Sequence, residues 1–190
     1  MTARIKKIIL LLLSLAALSG CASTLDVYRD ANMDFSAIRT VAILPLANLT
    51  RESPAAERVR DVFSTELLAT GALYVIPPGE VARGINRVAM ANPSAPSTDE
   101  AIKLAGIIKA DAIVTGTIKE YGEVRSGSSA ANVISLSMQM IEAQTGRVVW
   151  SAATTKGGIG IGDRLLGGGG EAMNTITVQA VDEIIKKLFQ

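Results

Sequence analysis

The only cysteine of the chain, Cys21, stands directly behind an apolar run from Ile8 to Leu18, and that placement takes the first twenty residues out of the fold. A helix needs roughly 20 residues to cross a bilayer core, so the run is too short for a span. It has the length of a signal h-region, with Arg4, Lys6 and Lys7 as the positive flank. Residues 1–20 therefore read as an export signal peptide.

The run closes on Leu18-Ser19-Gly20-Cys21, a lipobox pattern. Small Ser19 and Gly20 leave the bond ahead of Cys21 open to a membrane peptidase, and the Cys21 thiol is the atom that takes diacylglycerol. Fatty chains of the palmitate class contribute about 0.8 kcal/mol per buried CH2, and two or more anchor stably. Residue 22 is Ala rather than Asp, which in lipoproteins resembling enterobacterial ones implies transport to the outer membrane, facing the periplasm. The thiol is thereby committed to lipid.

With no His and one Cys in 190 residues, neither a Cys/His zinc site nor a Ser-His or Cys-His catalytic pair can be built from one copy, and no internal disulfide exists. Removing the signal removes three positive charges and no negative ones, taking the net charge from +1 to −2. A near-neutral domain with seven Phe, Tyr and Trp residues has no electrostatic pull toward nucleic acid and few stacking platforms. No cofactor and no metal is expected. The remaining chain is long enough for one domain with a sizeable core.

Residues 21–38 read as a lipid-anchored tether and 39–190 as the domain. Thr40 to Leu46 is an apolar run suited to a strand covered on both faces, with Pro45 near its end. Val59, Val62, Phe63 and Leu67 form one stripe of a helix that Gly71 closes. Leu73 to Ile76 is a second strand, and 80–90 a helix. Ser97 with Glu100 is a capping-box pattern ahead of Ala101, Leu104, Ala105 and Ile108. Ala112 to Ile118 is a third strand. Ile134, Leu136, Met138 and Met140 alternate with polar residues, and Gln144-Thr145-Gly146 turns that strand into Arg147 to Ala152. The last helix turns Met173, Ile176, Ala180, Ile184 and Leu188 inward. The expected fold is α/β, a mixed sheet of about five strands with helices packed against it, in a single domain behind the signal peptide.

Other features carry competing readings. The glycine-rich stretch 156–170 sits between strand and helix, where phosphate loops lie, but has neither the Gly-Lys-Ser/Thr ending nor a G-x-G-x-x-G register. It reads as a mobile loop, with the competing reading that it offers Gly158, Gly160, Leu165 and Leu166 to a protein partner. Glu57 with Asp61, and Glu120 with Glu123, could be paired carboxylates for glycan cleavage, or solvated faces. Trp150 reads as core rather than sugar platform, and Arg51 with Glu52 sit where an open αβ sheet can hold a ligand.

Three segments together resemble one family, the CsgG/LpoB-like envelope lipoproteins: Val41 to Thr50 with its Asn48-Leu49-Thr50 loop, Ala110-Asp111 to Ile118, and Ile141 to Trp150. The resemblance implies a fold similar to the TolB N-terminal domain and no catalytic residue. It also implies two roles, docking onto a peptidoglycan synthase or forming a secretion pore. The expected function is that of an outer-membrane lipoprotein accessory to envelope assembly, binding other envelope proteins and open to homo-oligomerisation. The alternative is a CsgG-like pore subunit. A pore needs added hairpins with strands of about 9–11 residues. The 120–132 connection and the 156–170 loop look too short or too glycine-rich, whereas hairpin 133–155 has the length but is expected to be a hairpin of the domain's own sheet, buried under helices. A tether of about 20 residues, at most roughly 65–70 Å extended, is short for reaching an inner-membrane synthase.

Overall fold

The computed structural model describes residues 27–127, 129–158 and 170–190, so the lipobox and Cys21 lie outside it. Strand β1 (Val27–Arg29) is followed by a 3-10 turn at Phe35–Ala37, which Asp34 caps by accepting from the Ser36 backbone N–H. Then come β2 (Thr40–Ile43), β3 (Ala47–Asn48), helix α1 (Ala55–Ala69), β4 (Tyr74–Val75), α2 (Pro78–Val88) and α3 (Thr98–Ile108). Strands β5 (Ala112–Ser126), β6 (Ser129–Glu142) and β7 (Val148–Gly157) form a continuous meander, and helix α4 (Met173–Phe189) closes the chain.

All seven strands belong to one mixed sheet in the order β1-β7-β6-β5-β2-β4, with β3 also pairing β5. The β2–β5, β2–β4 and β3–β5 pairs are parallel, and the rest are antiparallel. The α/β single-domain reading holds, and the two strands beyond the expected five are the short β1 and β3.

Period-2 alternation divides the core. On one face Ile43, Val114, Ile134, Leu136, Met138 and Met140 pack with Phe63 and Leu67 of α1 and with Ile176, Ala180 and Ile184 of α4. On the other, Ala42, Leu44, Ile113 and Ile141 pack beneath Val81 of α2 and Leu104 of α3. Each fully buried side chain of this size contributes roughly 1.5–3 kcal/mol. The capping box at Ser97 and Glu100 is formed on both sides. Gly71 stands just past α1 at φ +66°, a conformation that favours glycine.

Two expectations are corrected. Val27–Arg29 was expected in the tether, yet it pairs with Trp150–Ala152 of β7, and Arg29 Nη1 donates to the Leu188 carbonyl at 2.8 Å. The domain therefore includes Val27–Arg29, reaching to within six positions of Cys21. The 120–132 connection is itself strand: β5 and β6 stay paired from Glu120↔Ser135 to Ser126↔Ser129, past a register shift between Ile118 and Glu120. Hairpin 133–155 is no membrane hairpin, because its apolar residues face α1 and α4 rather than lipid.

The end of α4 is fastened to β7 by an ionic cluster. Glu183 pairs with Lys156 and with Lys187, and accepts from Thr154 Oγ1 at 2.8 Å. Lys187 Nζ also donates to the Ala153 carbonyl at 2.8 Å. Partial burial alone would raise the Glu183 pKa, but hydrogen bonds from Lys156, Lys187 and Thr154 outweigh it and lower the value from 4.5 to about 2. A depressed carboxylate stabilises the fold above its unfolded pKa and loses that contribution as pH falls through the folded one. Glu183→Gln is expected to lower stability at pH 7 by about 1–2 kcal/mol, a figure discounted for solvent screening at a carboxylate 31% exposed. The gap between wild type and variant should close between pH 4.5 and 2, as read by urea unfolding at a series of pH values.

Candidate functional site

The segments that carried the family resemblance turn out to be fasteners. Asn48 Nδ2 donates to the carbonyls of Glu52 (2.9 Å) and Ser53 (3.3 Å), while its Oδ1 accepts from the backbone and hydroxyl of Thr50. The Asn-Leu-Thr loop is thus folded around one amide, and Leu49 is left 72% exposed at its tip. Asp111 accepts from the backbone N–H groups of Arg39 and Thr40 at 2.9 and 2.8 Å, tying the start of β5 to the start of β2. Glu142 accepts from the Thr145 backbone and hydroxyl, shaping the β6–β7 turn. Gly146 in that turn has φ +66°, and a Cβ there would meet Thr98 Cγ2 at 2.5 Å.

The other sequence candidates separate. Trp150 is fully buried and its Nε1 donates to the Lys187 carbonyl at 3.2 Å, so it belongs to the core. Glu57 and Asp61 are exposed on α1, beside Arg58 and Arg60 in a wide depression. Glu120 lies opposite Ser135 and Glu123 opposite Asn132, three positions apart on one strand, so they point to opposite faces of the hairpin. Arg51 and Glu52 are exposed. Gly158 ends β7 at φ +92° and donates its N–H to the Asn132 carbonyl at 2.8 Å. Gly160, Leu165, Leu166, Leu18, Ser19, Gly20 and Cys21 lie outside the described residues.

What the sequence did not single out is the outward face of the antiparallel half of the sheet. Helices α2 and α3 pack on Ile113 and Ile141, and Thr115 next to them is still buried. Beyond them, strand register aligns three rows: Thr115–Gln139–Ser151, Thr117–Ser137–Ala153, and Glu120–Ser135–Thr155. Eight of these nine side chains are small or uncharged, the charge at Glu120 standing at the edge, although 19% of the chain is charged. Among the described residues no helix crosses these rows. Thr155 Oγ1 donates to Ser135 Oγ at 3.0 Å, and Tyr28, opposite Ser151, is 49% exposed at the sheet edge. Where the rows meet the N-terminus of α3 they form a groove of about 340 Å³, lined among others by Pro96, Thr98, Thr117, Ser137 and Gln139.

A solvated antiparallel face is ordinarily polar. This one is also nearly free of charge, so a second protein surface can close on it without desolvating many unpaired ions. The alternation of Ser135, Ser137 and Gln139 between buried apolar residues was visible in the sequence, but nothing there said that the polar side would be left without a helix.

Comparison with known proteins then places the chain. The GNA1162-like lipoprotein family matches residues 28–188. The chain belongs to that family. The GNA1162-like match begins at Tyr28, within β1, in accord with a domain that starts in the former tether. The match bears out the lipoprotein part of the resemblance and does not confirm the CsgG and TolB naming. Similar solved structures include a PelC dodecamer from Paraburkholderia phytofirmans, with TM-score 0.59 and 18% identity over 85% of this chain and 96% of that one. Lipoprotein GNA1162 from Neisseria meningitidis gives TM-score 0.57 and 16% identity over 80% and 98%. At these identities the likeness is one of fold. The LpoB C-terminal domain from Escherichia coli, at TM-score 0.49 and 17% identity over 66% and 88%, is too distant to bear on function. No curated protein matches the sequence.

Proposed function

We propose that this GNA1162-like chain is an outer-membrane lipoprotein, held by acylated Cys21, whose periplasmic domain catalyses no reaction and works by binding other envelope proteins. The observation that carries the reading is the nearly uncharged Ser/Thr face over β5, β6 and β7, which no helix among the described residues crosses. Family membership supports the lipoprotein part. Only five residues separate Cys21 from Val27, a reach of at most about 20 Å over the six Cα–Cα steps. The domain therefore stays close to its own membrane, which favours partners in an export or assembly apparatus at the outer membrane over a synthase in the inner one.

Self-association is a second reading, favoured by the fold shared with a protein crystallised as a dodecamer. Two copies of an uncharged face can meet without repulsion, and ring closure would need heterologous contacts.

Ser137→Arg places a charge at the centre of the face. The expected result is at least a tenfold loss of association in the detergent-extracted acylated protein, read by light scattering and by retention of envelope partners, because an unpaired charge would be desolvated. Its melting temperature should stay near wild type, since an outward position tolerates the change. Undiminished association would overturn the assignment of the face.

A further inference from the structure

We infer that the outer half of the β5–β6 hairpin docks against the lipid headgroup layer of the membrane that carries Cys21. The inference rests on the acylation of Cys21 proposed above. Val27 lies opposite Ala152, Ala152 opposite Met138, and Met138 opposite Gly116, so these four residues share one level of the sheet. From that level β5 runs on through Ser126. At about 3.3 Å per residue the hairpin projects on the order of 30 Å past Val27.

Strand β1 is antiparallel to β7, so its N-terminal end points the same way as the hairpin. Six Cα–Cα steps lead from Val27 back to Cys21, and they span at most about 20 Å. The anchor is thus confined to a zone that the hairpin overreaches by roughly 10 Å when the strands stand toward the membrane. A domain anchored on so short a lead meets the membrane with this hairpin first.

The hairpin suits that contact. Its end is made of Ser126, Gly127, Ser129, Ala130 and Ala131, without a charge, and Val124 behind it is 37% exposed. The charged pair nearest its end among the described residues, Glu123 with Arg125, is satisfied within the hairpin at 2.5 Å. No unpaired ion at this end needs to lose water in the headgroup layer, since Glu120 stands six residues back from Ser126. With no basic cluster at the end, the contact is set by the tether and the shape of the domain, and salt should leave it unchanged.

The experiment places a fluorescent maleimide at Ser126→Cys, and in a separate protein at Gln144→Cys in the β6–β7 turn at the opposite end of the sheet. Both are exposed positions. Acylated mature protein is reconstituted in phosphatidylethanolamine–phosphatidylglycerol vesicles whose headgroups carry a quencher. Quenching several-fold stronger at 126 than at 144, unchanged by salt, is the expected result. Equal quenching at both positions, quenching only at 144, or quenching at 126 that requires an added protein would each overturn the inference. Wild-type protein serves as the control on its premise: Cys21 has no free thiol once acylated, so maleimide uptake by wild type would sink the lipidation itself rather than the hairpin contact.

Discussion

Replacing Cys21 with serine is expected to strip the protein of its acyl anchor, leaving only the uncleaved signal peptide to hold it at the membrane. Serine keeps the size of the side chain but lacks the thiol that accepts diacylglycerol, so neither acyl chain is added. Since each buried CH2 is worth about 0.8 kcal/mol, losing the chains should remove an acyl contribution to the membrane-to-soluble ratio on the order of a hundredfold or more. Fractionation of cell envelopes, with incorporation of labelled palmitate as the chemical readout, checks this. The unprocessed chain would run heavier because residues 1–20 are retained. The fold should be untouched, because the described domain begins at Val27. A variant that still sediments with membranes and still takes up palmitate would show that the lipobox reading is wrong.

Trp150→Ala is expected to produce the largest loss of stability. The indole is fully buried on the face of β7 that meets α4, and it is also a hydrogen-bond donor to the Lys187 carbonyl near the end of that helix. Truncation leaves a cavity and an unmet carbonyl together, costing about 3–5 kcal/mol. For a domain of this size each kcal/mol moves the melting temperature by about 2–4 °C, so a fall of roughly 10–15 °C should be seen by circular dichroism. Trp150→Phe keeps most of the packing and loses the donor, and should cost about 1–2 kcal/mol. If both variants melted with wild type, α4 would not be held at this point.

The parts of this architecture that were legible in the sequence are those whose cause is local. The alternation from Ile134 to Met140, the stripe Val59-Phe63-Leu67 and the Ser97–Glu100 capping box each depend on neighbours within one or two turns, and each is present. Val27–Arg29 was missed because three residues define no period; only the partner strand 123 positions later makes them a strand. The outer half of the hairpin was missed for a different reason. Past Tyr121, which still packs on the core, the stretch to Ser129 has no buried face to impose alternation, and it is paired through the ladder of β5 on β6. The Glu183 cluster draws Thr154 and Lys156 from another element, so its only sequence trace was the spacing of Glu183 and Lys187 on one helix. The candidate face illustrates the same limit. Its residues were read as the polar side of a strand, and its meaning came from where α2 and α3 stop.

The resemblance motifs show the converse. Asn48, Asp111 and the Thr145-Gly146 turn were recognisable as a set, and each performs a structural task that any role of the fold would require. Their presence speaks for the architecture, and leaves function to surfaces on which these motifs do not lie.

The measurement that bears most directly on the protein-binding role is photo-crosslinking in the intact envelope from an unnatural amino acid at Ser137, with Arg83 on the exposed side of α2 as the comparison position. A discrete adduct from 137, either with a second copy or with one envelope protein, and none from 83, is the predicted result. No adduct from 137 above that from 83, in protein shown to be acylated and folded, would contradict the assignment of this face as the binding surface.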